Sequence, residues 1–119
     1  MMTISLPRGD IRNVRFQIND GSQVYTDFDE IYFTVKKDYK KEDYLIQKKL
    51  SAKSITLDKE SGFFSFRLEP EDTNELNYGT YVFDIEINKG DVIKQTSLGQ
   101  LIITEEVTFS ANENEDSNP

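Results

Sequence analysis

The fold is decided by residues 69–85, which read EPEDTNELNYGTYVFDI. A proline followed by acidic residues at 70–72 is typical of the first turn of a helix, where a missing amide hydrogen costs little and acids face the positive end of the helix dipole. A Tyr-Gly pair then indicates a turn, and Tyr81, Phe83 and Ile85 alternate with residues suited to solvent. This order predicts that the chain leaves one β-sheet, makes one helical turn and enters a second sheet as a long strand.

Tyr81 and Phe83 are the structural residues of this segment. In immunoglobulin-like sandwiches, a tyrosine near the start of the strand after the crossover donates a hydrogen bond back to the crossover backbone, an arrangement called the tyrosine corner. Tyr81 has the position for that role, and Phe83 takes the inward position that a cysteine holds in antibody domains. The alternative is that Tyr81 is an ordinary core aromatic. Both interpretations are structural, and neither is catalytic.

The rest of the chain is dominated by a period of two, which is typical of half-buried strands in antiparallel sheets. The clearest runs are residues 14–18, 31–35, 64–68 and 81–87. Weaker strand candidates are residues 3–6, 44–50, 54–57, 92–97 and 100–103, while short helical turns are expected at 38–44 and 70–76. Residues 89–91 are expected to close a hairpin. We therefore predict an all-β fold, an immunoglobulin-like antiparallel β-sandwich of seven to nine strands with one or two short helical turns.

One domain accounts for the chain, because 119 residues suffice for a single hydrophobic core but not for two domains. We expect residues 1–109 to form the sandwich. Residues 110–119, whose only apolar residue is Ala111, are expected to be a disordered acidic tail. The predicted core consists of inward residues of the alternating runs and their neighbours: Phe16, Ile18, Ile31, Phe33, Val35, Leu50, Phe64, Phe66, Leu68, Tyr81, Phe83, Ile85 and Ile103.

Composition excludes several classes of chemistry. The chain has no cysteine and no histidine, which removes thiol and imidazole nucleophiles, disulfides and the zinc sites built from those side chains. Phosphate-binding glycine loops and serine-hydrolase motifs are also missing from the sequence. We therefore predict no enzyme activity, no catalytic, cofactor-binding or metal-binding residues, and no cofactor. The net charge of −8 disfavours nucleic acid and membranes as partners.

Two short motifs have competing interpretations. Residues 8–10 match the Arg-Gly-Asp tripeptide that integrins bind, although a turn into the first strand explains them equally simply. Asp27, Asp29 and Glu30, together with Asp20, offer oxygen ligands for Ca²⁺, but their spacing does not fit an EF-hand loop. The alternative for these carboxylates is a solvated loop.

A lysine-rich segment, residues 36–53, departs from the acidic balance of the chain. It holds seven of the fourteen basic residues and has a net charge of +4, while the rest of the chain carries −12. The seven lysines form a candidate interaction patch: Lys36, Lys37, Lys40, Lys41, Lys48, Lys49 and Lys53. Three interpretations compete. The lysines could bind nucleic acid, protect an edge strand from aggregation, or complement the acidic surface of another copy or a partner.

Four stretches together resemble a known family. They are DFDEIYFTVKK at 27–37, LIQKKL at 45–50, the segment 70–85 already described, and LGQLIITEEVT at 98–108. Over residues 10–108 the chain resembles small tail or baseplate proteins of phages that infect Gram-positive bacteria. Within them, it is similar to the immunoglobulin-like N-terminal domain of the phage baseplate upper protein.

This resemblance implies a non-enzymatic structural or assembly module of a phage or prophage tail, acting through protein–protein contacts. The expected partners are other phage tail proteins or copies of itself in a homo-oligomer. The expected location is the virion, after synthesis in the cytoplasm of the bacterial host. The resemblance supplies no catalytic residues. A second hypothesis, from a different functional class, is a module that recognises a host-surface glycan or a cell-wall ligand.

Overall fold

The computed structural model describes residues 2–20, 23–24, 27–40 and 43–105. Within those ranges the chain forms ten strands, three of which have only two residues, and one short helix. Their bounds are β1 (Met2–Pro7), β2 (Arg12–Gln17), β3 (Asn19–Asp20), β4 (Gln23–Val24), β5 (Glu30–Lys36), β6 (Ile46–Lys49), β7 (Thr56–Leu57), β8 (Phe63–Leu68), α1 (Pro70–Thr73), β9 (Gly79–Lys89) and β10 (Val92–Thr104). The predicted acidic tail, residues 110–119, lies outside the described residues and stays a prediction.

The strands form two main sheets. β1, β10, β9, β5 and β6 lie in that order in a five-stranded sheet, while β2, β8 and β7 form a three-stranded sheet. β3 and β4 make a separate small hairpin. Within the main sheets, β1 and β10 pair in parallel and the other described neighbours are antiparallel. The predicted all-β sandwich is confirmed, and β6 beside β5 is the kind of strand that variable-type immunoglobulin domains add at this edge.

The core lies between the two sheets, where their inward side chains meet. Phe33 on β5 contacts Phe66 on β8 with ring centroids 4.3 Å apart, and Phe83 on β9 lies 5.1 Å from Phe33. Eleven of the thirteen predicted core residues are buried. The buried apolar residues that the prediction missed are Ile4, Leu6, Val14, Ile46, Ile55, Ile87 and Leu101.

Phe16 and Leu50 are the two predicted core residues that are only partly buried. Phe16 lies on β2, at one edge of the three-stranded sheet, and its ring packs obliquely on Phe64 with centroids 5.6 Å apart. Leu50 directly follows β6, the edge strand of the other sheet. Phe16 was predicted from the alternation of residues 14–18, and Leu50 from the weaker strand candidate at 44–50. At a sheet edge the opposite sheet covers only part of such a side chain.

β9 and β10 form a long hairpin. Gly90 and Asp91 connect the two strands, and Gly90 has a φ of 58°, in the left-handed region that tight hairpin turns require. The predicted turn at residues 89–91 is therefore confirmed. The exposed end of the hairpin is held by Asp29, whose carboxylate accepts a hydrogen bond from the Gly90 amide at 3.1 Å.

The two strands predicted at residues 92–97 and 100–103 are one continuous strand, β10, which has a register shift near its start. Gly99 lies in the gap between the two predicted segments. In the structure Gly99 lies directly opposite Phe83 on β9. A Cβ added at Gly99 would come within 2.3 Å of the Phe83 ring. The glycine is thus a packing position, and the ring fills the space that its side chain would need.

The helical turn predicted within residues 70–76 is α1, which begins at Pro70. The Asp72 carboxylate accepts a hydrogen bond from the Glu69 amide at 2.7 Å, and this contact caps the start of the helix. The second predicted helical turn, at residues 38–44, is not found among the described residues of that segment. Asp38 instead accepts a hydrogen bond from the Lys40 amide at 2.8 Å, which stabilises a turn.

Tyr81 follows the crossover and makes the contact that a tyrosine corner requires. Its hydroxyl donates a 2.6 Å hydrogen bond to the backbone oxygen of Asn77, four residues upstream. The Tyr81 side chain is buried, with 3% of its surface exposed. One side chain therefore fixes the conformation of the crossover and contributes to the core.

We expect the substitution Tyr81→Phe to lower the free energy of unfolding by about 1 kcal/mol, because it keeps the ring and removes one hydrogen bond. The loss would be larger if the Asn77 oxygen is left without a donor. Urea denaturation of the two proteins measures the difference. Tyr39→Phe, at a residue 51% exposed, is the matched control and should leave the stability unchanged. Equal stability of parent and Tyr81→Phe would contradict the structural role of this hydroxyl.

Candidate interaction surface

The lysines of the candidate interaction patch do not form one surface. Lys48 and Lys49 are neighbours on β6, so their side chains point to opposite faces of the sheet. Lys48 is paired in register with the buried Phe33, and its Nζ lies 2.8 Å from a carboxylate oxygen of Asp72. Lys49 is paired with Tyr32 and its Nζ lies 5.6 Å from the centroid of that ring. Sequence proximity therefore misled the prediction of a single patch.

The other lysines of the segment also lie at different places on the domain. Lys36 ends β5 on the outer face of the five-stranded sheet. Lys37 places its Nζ 4.8 Å from the centroid of the Tyr81 ring, and Lys40 is exposed in the β5–β6 connection. Lys41 lies outside the described residues. Because Lys49 is on an edge strand, its position agrees with the edge-protection interpretation.

Lys48 and Lys53 instead join two arginines around a cleft of about 500 Å³. We call this feature the basic cleft and define it by Arg15, Lys48, Lys53 and Arg67. It opens at the side of the sandwich, between β6 and β8, and the remaining residues that line it are Asn13, Val14, Ser54, Thr56, Ser65, Phe66 and Glu69. Four cationic side chains thus line the cleft together with one carboxylate, in a chain whose net charge is −8.

The cleft exists because β7 is short. β7 has two residues, which pair with Ser65 and Phe64 of β8. Among the described residues no strand lies beside β8 beyond Ser65 on this side. The backbone of residues 66–68 therefore forms an open sheet edge at the cleft, of the kind that pairs with added strands.

The four basic side chains are held differently. The Arg15 guanidinium lies 3.8 Å from the centroid of the Phe63 ring, and Arg67 Nε donates a 3.1 Å hydrogen bond to Asn13 Oδ1. Lys53 has a φ of 63°, the one positive φ among the described non-glycine residues. A left-handed conformation costs a non-glycine residue about 1–2 kcal/mol. Such strain is found more often at functional positions than elsewhere.

Arg15 and Arg67 are the functional candidates that the sequence analysis missed. They lie far apart in sequence, so no local charge run announced them. The signal was available in the alternation of β2 and β8, because Arg15 and Arg67 occupy the polar positions of the alternating runs. Only the pairing of β2 with β8 brings these positions together.

A second, shallower feature lies on the outer face of the five-stranded sheet. This outer concavity has a volume of about 310 Å³ and is lined by Tyr32, Thr34, Lys36, Tyr44, Gln47, Asp84, Glu86 and Asn88. Gln47 donates a hydrogen bond to Thr34 at 3.2 Å, and Asn88 donates one to Glu86 at 2.9 Å. The Asn88 side-chain oxygen is buried and has no hydrogen-bond partner within the described part of the chain. Aromatic rings and polar groups thus share one open surface.

Burial raises the pKa of Asp84 above its ordinary value of 3.8, and the nearby negative charge of Glu86 adds to the rise. Lys36 acts in the opposite direction. A raised pKa in the folded state means that the native protein holds this proton more tightly than the unfolded chain does. The contribution of Asp84 to stability is therefore most favourable at low pH and is lost as pH rises through the folded-state pKa.

We expect the substitution Asp84→Asn to stabilise the domain at neutral pH, because the amide resembles the protonated carboxyl and removes the charge that burial disfavours. The gain should shrink as pH falls and vanish below pH 3.8, where both states of the parent are protonated. Thermal unfolding of parent and variant across this pH range measures it. A variant less stable than the parent at neutral pH would contradict this electrostatic account.

The carboxylates proposed as calcium ligands each contact a different partner. Asp27 forms an ion pair with Lys89. Asp29 accepts a hydrogen bond from the Gly90 amide, and Glu30 accepts a hydrogen bond from the Ser51 amide at 3.0 Å. Among the described residues no group of three acidic side chains could hold a metal ion. The side chain of the fourth predicted ligand, Asp20, is outside the described part of the structure. The observed contacts support a structural role for the loop.

The Arg-Gly-Asp tripeptide at residues 8–10 forms the turn after β1. Gly9 has a φ of 84°, and its amide donates a 2.8 Å hydrogen bond to the hydroxyl of the buried Thr73. The Arg8 guanidinium donates a 3.1 Å hydrogen bond to the Tyr78 hydroxyl and lies 4.4 Å from the centroid of the same ring. These contacts join the first turn to the crossover and give the tripeptide a structural role.

The described part of the chain contains no helix that is both apolar enough and long enough to span a bilayer.

Comparison with known proteins supports the fold class. No protein-family model matches the sequence, and no curated protein matches it. Among solved structures, the chain is similar to the NK cell receptor Nkp44, described as a triggering partner in natural cytotoxicity. The TM-score is 0.54 at 18% identity, over 86% of this chain and 96% of that chain. At this identity the match shows the fold alone, so the protein is an immunoglobulin-like β-sandwich.

Proposed function

We propose that this domain is a non-enzymatic assembly module of a phage or prophage tail, which acts through protein–protein contacts at the basic cleft. The observation that carries the proposal is the cleft itself: four cationic side chains, of which Lys48 is paired with Asp72, beside an open sheet edge, in a chain with a net charge of −8. Charges arranged in this way select partners and orient them more than they add affinity. The tail context comes from the resemblance of residues 10–108 to phage baseplate domains.

The proposal can be tested on phage particles produced by the bacterium that encodes the chain. We expect the protein to co-purify with tailed particles at a fixed stoichiometry, measured by quantitative mass spectrometry. The double variant Lys53→Gln/Arg67→Gln should be lost from the particles, whereas Lys40→Gln/Lys59→Gln, which removes the same charge at two exposed positions outside both surfaces, should be retained. Particles that lack the parent protein would refute the tail role.

Recognition of a host-surface glycan or cell-wall ligand is the second candidate function, and the outer concavity is the observation that favours it. Tyr44 is 56% exposed at its rim, where a sugar ring could stack. Asp84, Asn88 and Gln47 supply polar groups within the same surface. Hydroxyl groups of a sugar need such acceptors and donors.

This second function predicts that a bound saccharide raises the melting temperature of the protein. Thermal unfolding with host cell-wall polysaccharide and its component sugars would measure the shift. Tyr44→Ala should abolish it, while Tyr78→Ala, at an exposed tyrosine of the crossover that does not line the outer concavity, should not. No shift with any wall fraction would argue against glycan recognition and leaves the assembly proposal intact.

A further inference from the structure

We propose that the basic cleft binds residues 105–119 of a second copy of this chain, as an extended acidic strand added along the open edge of β8. The inference rests on the proposed function and deepens it, because it names the partner that the cleft takes. The resulting contact joins two different surfaces, the cleft of one copy and the C-terminal residues of the next. Such heterologous contacts generate rings or filaments.

The cleft has the features that strand addition needs. Beyond Ser65 the edge of β8 has no neighbouring strand among the described residues, so its backbone groups on that side can pair with an extended peptide. The lining is divided by character. Val14 and Phe66 are buried core residues at the inner side of the cleft, while Lys53 and Arg67 are charged and exposed. The inward side of an added strand would continue the core and should be apolar, and its outward side would face the cations and should be acidic.

Residues 105–119 have the matching character. They contain five acidic residues and no basic one: Glu105, Glu106, Glu113, Glu115 and Asp116. Val107 and Phe109 alternate with Glu106, Thr108 and Ser110, which is the period of a β-strand and uses residue types that strands favour. The first part of the segment therefore offers apolar side chains on one side, and the whole segment is complementary in charge to the cleft.

The geometry favours a second copy over the same molecule. β10 ends at Thr104, and β9 and β5 separate it from β6, which carries Lys48 on one wall of the cleft. Three strand spacings of about 4.8 Å place β6 about 14 Å from β10. The three residues from Thr104 to Val107 span at most about 11 Å. Val107, the first apolar residue of the segment, therefore cannot reach the cleft of its own chain. The segment can lie along the open edge of β8 over its whole length, with Val107 included, only in a neighbouring copy.

A complementation experiment with full-length chains tests this contact. One variant, Lys53→Gln/Arg67→Gln, has a neutralised cleft and an intact C-terminal segment. The other variant, Glu113→Gln/Glu115→Gln/Asp116→Asn, has an intact cleft and a neutralised C-terminal segment.

In sedimentation velocity at low salt, we expect the parent to form species larger than a dimer as its concentration rises. Each variant alone should associate at least tenfold more weakly. An equimolar mixture should form a one-to-one dimer and nothing larger, because it contains one intact cleft and one intact segment for each pair.

Controls separate charge from position. Lys40→Gln/Lys59→Gln, at two exposed lysines that line neither the basic cleft nor the outer concavity, should associate as the parent does. High salt should dissociate every complex, and equal melting temperatures should show that the variants are folded. A parent that stays monomeric, or a mixture that fails to form the dimer, would overturn the inference. If the parent associates and both variants do so equally well, the inference fails while an assembly role through another surface stands. Absence of the parent from phage particles, by contrast, would count against the proposed function itself.

Discussion

The substitution Phe83→Ala is expected to lower the free energy of unfolding by about 3–5 kcal/mol, the usual cost of removing a buried phenylalanine ring. Phe83 is 1% exposed, contacts Phe33 at a centroid distance of 5.1 Å, and covers Gly99 on the neighbouring strand. A loss of this size is a large part of the about 5–15 kcal/mol that stabilises a typical domain. Urea denaturation followed by circular dichroism measures it.

Phe63→Ala is the matched control for this prediction. Phe63 lies on β8 but is only partly buried, and its ring contacts the Arg15 guanidinium. Its loss should cost clearly less than the loss of Phe83, since less apolar surface returns to water. A change of less than about 1 kcal/mol for Phe83→Ala would contradict the central position of this ring.

The substitution Gly99→Ala is expected to be the second large effect, with a cost of about 1–3 kcal/mol or more from overpacking. The added methyl group would lie 2.3 Å from the Phe83 ring, so the ring or the strand must move. Both are held, because the ring is buried in the core and β10 pairs with β9 on one side and with β1 on the other. Thermal or urea unfolding of the variant measures the cost.

A double-mutant cycle identifies the cause of that cost. If the clash with the ring is responsible, adding Gly99→Ala to the Phe83→Leu variant should cost less than adding it to the parent, because the smaller side chain leaves room for the methyl group. Additive effects of the two substitutions would show that the requirement for glycine at position 99 comes from the backbone and not from the ring. That outcome would contradict the packing role derived from the structure.

Most of the fold could be predicted from the sequence because its strands have one buried face. A period of two identifies such strands without knowledge of their partners, as at Phe33, Phe66 and Phe83. The crossover could also be predicted, since Pro70 favours the first turn of a helix and Tyr81 follows it at the position that a tyrosine corner needs. What the alternation cannot provide is the partner of each strand. Gly99 fits within the continuous strand β10 because the ring of Phe83 on β9 fills the space beside it. Such a contact between two strands cannot be recognised from the alternation of one strand.

The candidate site could be predicted only in part, for the same reason. A run of lysines in the sequence drew attention to residues 36–53, yet Lys48 and Lys49 project to opposite faces of one strand. The cleft gathers Lys48 and Lys53 with Arg15 and Arg67, which come from two other strands. The cleft is open because β7 pairs with only two residues of β8. No residue type in the sequence marks the point at which this pairing stops.

The parallel pairing of β1 with β10 has a consequence for how the chain folds during its synthesis. Met2 pairs with Gly99 and Pro7 with Thr104, so the first strand of this domain cannot pair until the last one has been synthesised. Until Thr104 has left the exit tunnel, Ile4 and Leu6, both buried in the finished domain, have no sheet to join. The domain can therefore complete its folding only after its last strand has been synthesised, and until then the apolar side chains of its first strand stay exposed.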